Sequence, residues 1–306
     1  MFYAIKPVYR QDGLKKAGNM AVSWQIKGGA SVILGKRARL MGILNVTPDS
    51  FSDGGGCSAE EALARAHIMR REGADIIDIG GESSRPEARP VSAAEEQRRI
   101  LPVIAALAGQ EDCPPLSVDT YRAETAAAAL QAGAHIINDI FGLQNDAAMA
   151  DLIAASGAGL VLMHTGRERQ KHPDPLRDQE IFFTRSLAIA AKAGIRPEQI
   201  VLDPGFGFAK TLAENIALLR HAAALQSFGR PLLAGTSRKN FLGRLTGQEL
   251  PPERDTATAA SSVLLRLQGF SLFRVHNIAA NRQALAVVDA LADDGAAKQP
   301  ARPAQD

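Results

Sequence analysis

From Leu40 to Leu291 the chain alternates between short, nearly continuous apolar runs and longer stretches rich in Ala, Leu, Glu and Arg. Apolar runs of this length bounded by turn-forming residues predict buried strands, and the longer stretches predict helices. The strands fall at 40–46, 75–80, 116–120, 135–140, 159–164, 200–203, 232–235 and 272–276. The helices fall at Ala59–Glu72, Ala93–Leu107, Arg122–Ala132, Asp146–Ser156, Phe182–Ala193, Leu212–His221, Thr256–Gln268 and Ala279–Leu291. Several stretches close on glycine, as at Gly73, Gly133, Gly157 and Gly194, a residue suited to a left-handed helix cap. Eight strands in strict alternation with eight helices is the count of a (β/α)8 TIM barrel, an α/β fold. A doubly wound open sheet is the competing layout, but no glycine-rich dinucleotide turn follows a strand here.

Ahead of the alternation, Trp24–Ile26 and Ser31–Leu34 flank Lys27-Gly28-Gly29-Ala30, which predicts an N-terminal β-hairpin. Residues 1–20 read as a loose extension and 21–292 as one barrel domain. Residues 293–306, with Pro300 and Pro303, read as a disordered tail.

Composition narrows the function classes. The chain has 306 residues, 46% hydrophobic and 22% charged, enough for a large single core. A net charge of +2, with basic residues scattered, offers no stripe for nucleic acid or an anionic membrane. No apolar run has the length of a membrane span, and the first residues lack a signal-peptide core. Two cysteines, Cys57 and Cys113, supply neither a disulfide framework nor a zinc site, so a reducing cytoplasm is expected.

Chemistry enters at the strand ends. In order these carry Asn45; Asp78 with Glu82; Asp119; Asn138 with Asp139; His164; Asp203; Ser237-Arg238-Lys239; and Arg274 with His276. Any one of them has a structural explanation, since strand ends and helix starts need capping. Eight in series at one barrel mouth instead make a pocket. Carboxylates and amides such as Asp119, Asn138 and Asp203 suit a planar heterocycle with several N–H and C=O groups. Arg85, Lys239, Arg274 and a helix N-terminus suit phosphate or carboxylate. The pattern therefore points to a ligand with a flat polar ring and an anionic group. Oxygen donors with phosphate, Asn45 among them, suit Mg²⁺, whereas no His/Cys spacing suits zinc.

The segments MGILNVTPDSFSDGG, GADIIDIGGESSRP, SVDT, GAHIINDI, LMH, LDPGFGF, GTSRKNFLG and RVHN occur in that order between residues 41 and 277, within a match that covers roughly residues 22–292. Together they strongly resemble the dihydropteroate synthase family of the bacterial folate pathway. The resemblance implies a transferase that condenses 6-hydroxymethyl-7,8-dihydropterin diphosphate with 4-aminobenzoate, giving 7,8-dihydropteroate and diphosphate. By matching position it places Asp119, Asn138 and Asp203 on the pterin edge, with Lys239 and Arg274 against the ring. Asn45, Arg274 and His276 fall on the diphosphate side, with Mg²⁺ near Asn45. Ser84, Arg85, Pro86, Phe208 and Asn240 fall on the aminobenzoate side. The resemblance also implies a homodimer, with the last two helices as contact faces. An SN1-like step is expected, with loops 47–57 and 82–92 as lids.

Three positions depart from the family's pattern. Ser84 stands where threonine is common and keeps the hydroxyl. Asn240 stands where serine usually follows Arg-Lys, so affinity for aminobenzoate or sulfonamides is expected to differ. Asn277 replaces a frequent aspartate. Two other readings compete. A pterin-binding methyltransferase-type barrel would not need the diphosphate apparatus of NVTPDSF and Ser237-Arg238-Lys239. A catalytically silent pterin-binding paralogue would not need to keep Lys239.

Overall fold

The computed structural model describes residues 21–47, 59–83 and 90–292. Strands β1 (Val22–Gln25) and β2 (Ser31–Leu34) form the antiparallel hairpin, turned through Gly28 and Gly29 at φ +85° and +76°. The alternation then runs β3 (Arg39–Asn45), α1 (Ala59–Arg71), β4 (Ile76–Gly80), α2 (Ala93–Ala108), β5 (Leu116–Asp119) and α3 (Ala123–Gln131). It continues with β6 (Ile136–Asp139), α4 (Ala147–Ser156), β7 (Gly159–Met163), α5 (Pro175–Ala193), β8 (Ile200–Asp203) and α6 (Leu212–His221). The last elements are β9 (Leu233–Ala234), α7 (Asn240–Thr246), α8 (Asp255–Leu267), β10 (Leu272–Val275) and α9 (Ile278–Ala292).

Strands β3 to β10 pair in parallel in the order β8-β7-β6-β5-β4-β3-β10-β9, and a parallel bridge from Leu202 to Leu232 closes the ring. This is the expected (β/α)8 barrel with its N-terminal hairpin. Helices cover the outer face and side chains fill the interior, so the strands read as continuous apolar runs rather than alternating ones. The hairpin plugs the N-terminal end. Trp24, Ile26, Val32 and Leu34 pack on Met41, Ile76, Ile136, Val161, Val201, Leu233 and Leu272, and Trp24 Nε1 donates to Gln199 O at 2.8 Å. With one end closed in this way, the open mouth is the C-terminal one.

Two helices differ from the sequence pattern. Helix α5 begins at Pro175, seven residues before the expected Phe182, because Asp174 caps it by accepting from Leu176 N and Arg177 N. Proline at the first helical position suits that start. Helix α7 is absent from the periodic stretches, because at seven residues it is too short to show a periodicity; its N-terminus at Asn240 is implied only by the family resemblance. The expected strand 232–235 narrows to Leu233–Ala234, where β9 ladders onto β10. The extension at 1–20 and the tail at 293–306 lie outside the described residues.

Candidate active site

Parallel register sets the first row of the site. Asn45 on β3 pairs with Gly80 on β4, Gly80 with Asp119 on β5, and Asp119 with Asn138 on β6. Residues in register share a face, so Asn45, Asp119 and Asn138 are presented at one level of the mouth. Gly80 leaves the space between them open. A Cβ there would stand 3.5 Å from Asp119 Cβ and 3.6 Å from Asn45 Oδ1.

One turn of the pleat deeper, fully buried Asp78 joins this row to Arg274 on β10. Arg274 Nε donates to Asp78 Oδ2 at 2.6 Å, and its Nη2 donates to Asp119 Oδ2 at 2.6 Å. Asn138 Nδ2 donates to the same Asp78 oxygen at 3.3 Å. Asp78 Oδ1 and Asn138 Oδ1 are buried without a hydrogen-bond partner among the described residues. Buried polar atoms rarely stay unpaired, so these mark where a polar ligand or water is received. Burial raises the Asp119 pKa to about 7, with Arg274 drawing it down and Asp78 raising it again. The pair of carboxylates holds the Arg274 guanidinium charged and fixed in orientation.

Across the mouth, Asp203 at the tip of β8 is buried and accepts from Gly205 N at 2.7 Å. Burial raises its pKa to about 6, against the pull of that amide, Lys239 and Arg274. Lys239, just before α7, is lowered to about 8 by burial and by Arg274. Its Nζ lies 3.9 Å from the centroid of the Phe208 ring, and the Arg167 guanidinium lies 4.9 Å from the same ring. Phe208 packs with Ile140 and Met163 into a small apolar cluster at the mouth, with Tyr121 and Phe141 against it.

His276 follows β10. Ser237 Oγ accepts from His276 N at 3.1 Å and lies 2.9 Å from His276 Nδ1. The hydroxyl and Nδ1 thus share a hydrogen bond that holds the ring in place at the mouth. Burial and nearby Arg238 and Arg274 lower the His276 pKa to about 3, so the ring is neutral. Arg238 itself turns away from the anion side suggested by its motif. Its guanidinium grips Asp255 at 2.7 and 2.9 Å, and its backbone is left-handed at φ +57°. Asn277 also turns to Asp255, donating at 3.0 Å, while its Oδ1 accepts from Ala280 N at the start of α9. That gives Asn277 a capping role the sequence did not disclose.

Asn240 is exposed as the first residue of α7. Ser84, Arg85 and Pro86, and most of both expected lids, lie outside the described residues. The ends of the second loop are tied nonetheless. Glu82 accepts from Val91 N at 3.3 Å and from Tyr121 Oη at 3.0 Å, and pairs with Arg122 at 2.8 Å. Among the described residues no cluster of three or more His, Cys, Asp or Glu is arranged to hold a metal. Sequence reasoning placed Asp78 at a strand end without a role; its charge partner on the eighth barrel strand is what gives it one. It also passed over Lys210, whose half-buried amine becomes visible only when two loops are seen to meet.

The mouth therefore offers a carboxylate and amide edge, an ordered guanidinium, a half-buried ammonium and an apolar aromatic wall. A flat heterocycle satisfies the first, an anionic leaving group the cations, and an aromatic co-substrate the wall. Comparison with known proteins agrees with that chemistry. The family profile described as "Pterin binding enzyme" matches residues 41–276. A dihydropteroate synthase from Synechocystis sp. is 44% identical over 264 residues, covering 84% of this chain and 91% of that protein. The structure of Xanthomonas albilineans dihydropteroate synthase with 4-aminobenzoic acid superposes with a TM-score of 0.83 at 41% identity, covering 88% of this chain and 98% of that one. The same enzyme in complex with 7,8-dihydropteroate gives a TM-score of 0.77 at 42% identity, covering 85% and 95%.

Proposed function

This chain belongs to the dihydropteroate synthase family of pterin-binding enzymes, and from that premise we propose how its mouth carries out the family's reaction. The observation that carries the reading is the convergence of Asp119, Asn138, Asp203, Lys239 and Arg274 on one pocket. The reaction joins 6-hydroxymethyl-7,8-dihydropterin diphosphate to 4-aminobenzoate. The bond from methylene carbon to diphosphate oxygen breaks, the bond from that carbon to the amine nitrogen forms, and the amine loses a proton.

An aromatic amine is a weak nucleophile, so the leaving group departs early and positive charge develops on the methylene carbon and the dihydropterin ring. Asp119 and Asp203 accept hydrogen bonds from the ring edge and set negative charge beside it, a preorganised stabilisation that costs no reorganisation in the step. Asn138 completes the edge with an acceptor that is unpaired among the described residues. Arg274 and the neutral imidazole of His276 face the diphosphate. Lys239 borders both ring and wall, with its ammonium over Phe208. Phe208 packs against 4-aminobenzoate, and Ser84, Arg85, Pro86 and Asn240 complete that side.

Mg²⁺ is the implied cofactor. The fit is that of a metal brought in with substrate: Asn45 offers one amide oxygen at the strand tip, and phosphate oxygens and water supply the rest. When bound there it neutralises charge on the leaving diphosphate. We further infer a homodimer in the cytoplasm. Leu264 on α8 and Val287 and Leu291 on α9 are 41%, 65% and 70% exposed, the apolar surface an isologous interface would cover. No described helix is long and apolar enough to cross a membrane.

Calorimetric titration of the pterin ligand with and without diphosphate, set beside detection of dihydropteroate, tests the reading. Diphosphate-assisted pterin binding with product formation supports it. Folate binding that ignores diphosphate indicates a methyltransferase-type barrel, and binding without product indicates a silent paralogue.

A further inference from the structure

Behind the Phe208 wall lies a partly buried charged network that the reaction does not use. Lys210 Nζ donates to Gly205 O at 2.7 Å, meets His164 Nδ1 at 2.9 Å, and lies 3.5 Å from Phe208 O. His164 is buried, and its Nε2 lies 3.0 Å from Asp178 Oδ2 at the start of α5. The same Nε2 also lies 2.8 Å from Arg169 Nη2, so the imidazole is held between Lys210 on one side and the Arg169–Asp178 pair on the other. Burial, then the Lys210 charge, hold that imidazole neutral by lowering its pKa to about 3. Asp178 is gripped in turn by Arg169, at 2.9 Å from Nη1 and 2.6 Å from Nη2.

The segment that Lys210 ties down needs such ties. Between Gly205 and Ala209 the backbone is left-handed three times, at Gly205 (φ +63°), Gly207 (φ +79°) and the non-glycine Ala209 (φ +48°). A Cβ at Gly205 would come within 1.9 Å of His164 O, so the loop after β8 is pressed against the loop after β7. Such a conformation persists only where surrounding contacts over-determine it. Lys171 adds an outer tie, donating to Ala209 O at 2.8 Å while paired with Glu214 at 2.7 Å. Asn215 adds a third, accepting from Gly207 N at 2.8 Å.

We propose that Lys210 is a positioning residue for the second substrate: it fixes the strained loop so that the Phe208 ring stands against Lys239 at the mouth. The inference rests on the reading that Phe208 borders 4-aminobenzoate. Lys210 touches no substrate and acts through the loop's carbonyls and His164.

Steady-state kinetics of the full chain test this with Lys210→Met and the milder surface variant Lys171→Met. Well below the melting temperature, Lys210→Met raises KM for 4-aminobenzoate at least tenfold. KM for the pterin diphosphate and kcat at saturation change less than threefold. Lys171→Met shifts the same constant in the same direction by about threefold, and decides the matter alone if Lys210→Met does not fold. An equal rise in both KM values, or a lower melting temperature with both KM values unchanged, overturns the proposal. Absence of turnover with 4-aminobenzoate in the unaltered protein would instead overturn the functional reading on which it rests.

Discussion

Asp78→Asn separates electrostatic coupling in the mouth from simple loss of packing. Asp78 is fully buried and receives Arg274 Nε at 2.6 Å, while Arg274 Nη2 reaches Asp119 at 2.6 Å. Burial raises the Asp119 pKa, Arg274 lowers it, and the Asp78 charge raises it again, to about 7. For two carboxylate charges taken as about 5 Å apart, an effective dielectric of about 20 gives a repulsion of about 3 kcal/mol, or about two pH units on Asp119. The asparagine keeps the shape and one acceptor but removes that charge. In the proposed site, ionised Asp119 is the form that accepts from the ring N–H, so kcat/KM for the pterin diphosphate is expected to climb as pH rises through the Asp119 pKa. Removing Asp78 deletes a raising influence and leaves Arg274 in place. The acid limb therefore moves to lower pH, by at least about half a pH unit after relaxation of the site. Losing one charge-assisted hydrogen bond costs about 2 kcal/mol and the relieved repulsion offsets part of it, so the melting temperature falls by no more than about 5 °C. The assay is kcat/KM across pH for both proteins with the same substrates, so titration of the diphosphate itself cancels. An acid limb that stays put or moves to higher pH refutes the coupling.

Three further changes probe separate parts of the account. Trp24→Ala empties the barrel plug, where the ring is fully buried and donates to Gln199 O. It costs about 3–5 kcal/mol in a urea titration while both KM values hold, because the site lies at the other end. Lys239→Met removes a half-buried ammonium whose pKa is lowered to about 8 by desolvation and by Arg274. Thermal melting stays level or improves while kcat/KM falls by about two orders of magnitude, since the lost interaction belongs to the reacting complex. Asn240→Ser, on an exposed side chain, changes sulfonamide inhibition while circular dichroism melting moves by less than about 1 °C.

The barrel was legible because parallel strands buried on both faces write themselves as apolar runs, and each expected run contains a strand. Boundaries failed where a local rule outweighed periodicity. Asp174 and Pro175 start α5 ahead of its apolar pattern. The polar strand ends were legible as a set because a barrel brings successive C-terminal ends to one mouth, and the register from Asn45 through Asp119 to Asn138 bears this out. Partnerships were not legible. Asp78 and Arg274 are 196 positions apart, and Lys210 meets His164 across 46. Nor does a motif say which way its middle residue points. Arg238 sits inside Ser-Arg-Lys, yet its left-handed backbone sends the guanidinium to Asp255 while Lys239 goes to the mouth.

The most direct test of the central claim is diphosphate release from 6-hydroxymethyl-7,8-dihydropterin diphosphate by the purified chain, followed with and without 4-aminobenzoate and with and without Mg²⁺. The account predicts release in step with dihydropteroate, dependent on both additions, and reduced by at least tenfold in Asp203→Asn. Release that proceeds at the same rate in Asp203→Asn, or no release when both additions are present, would contradict it.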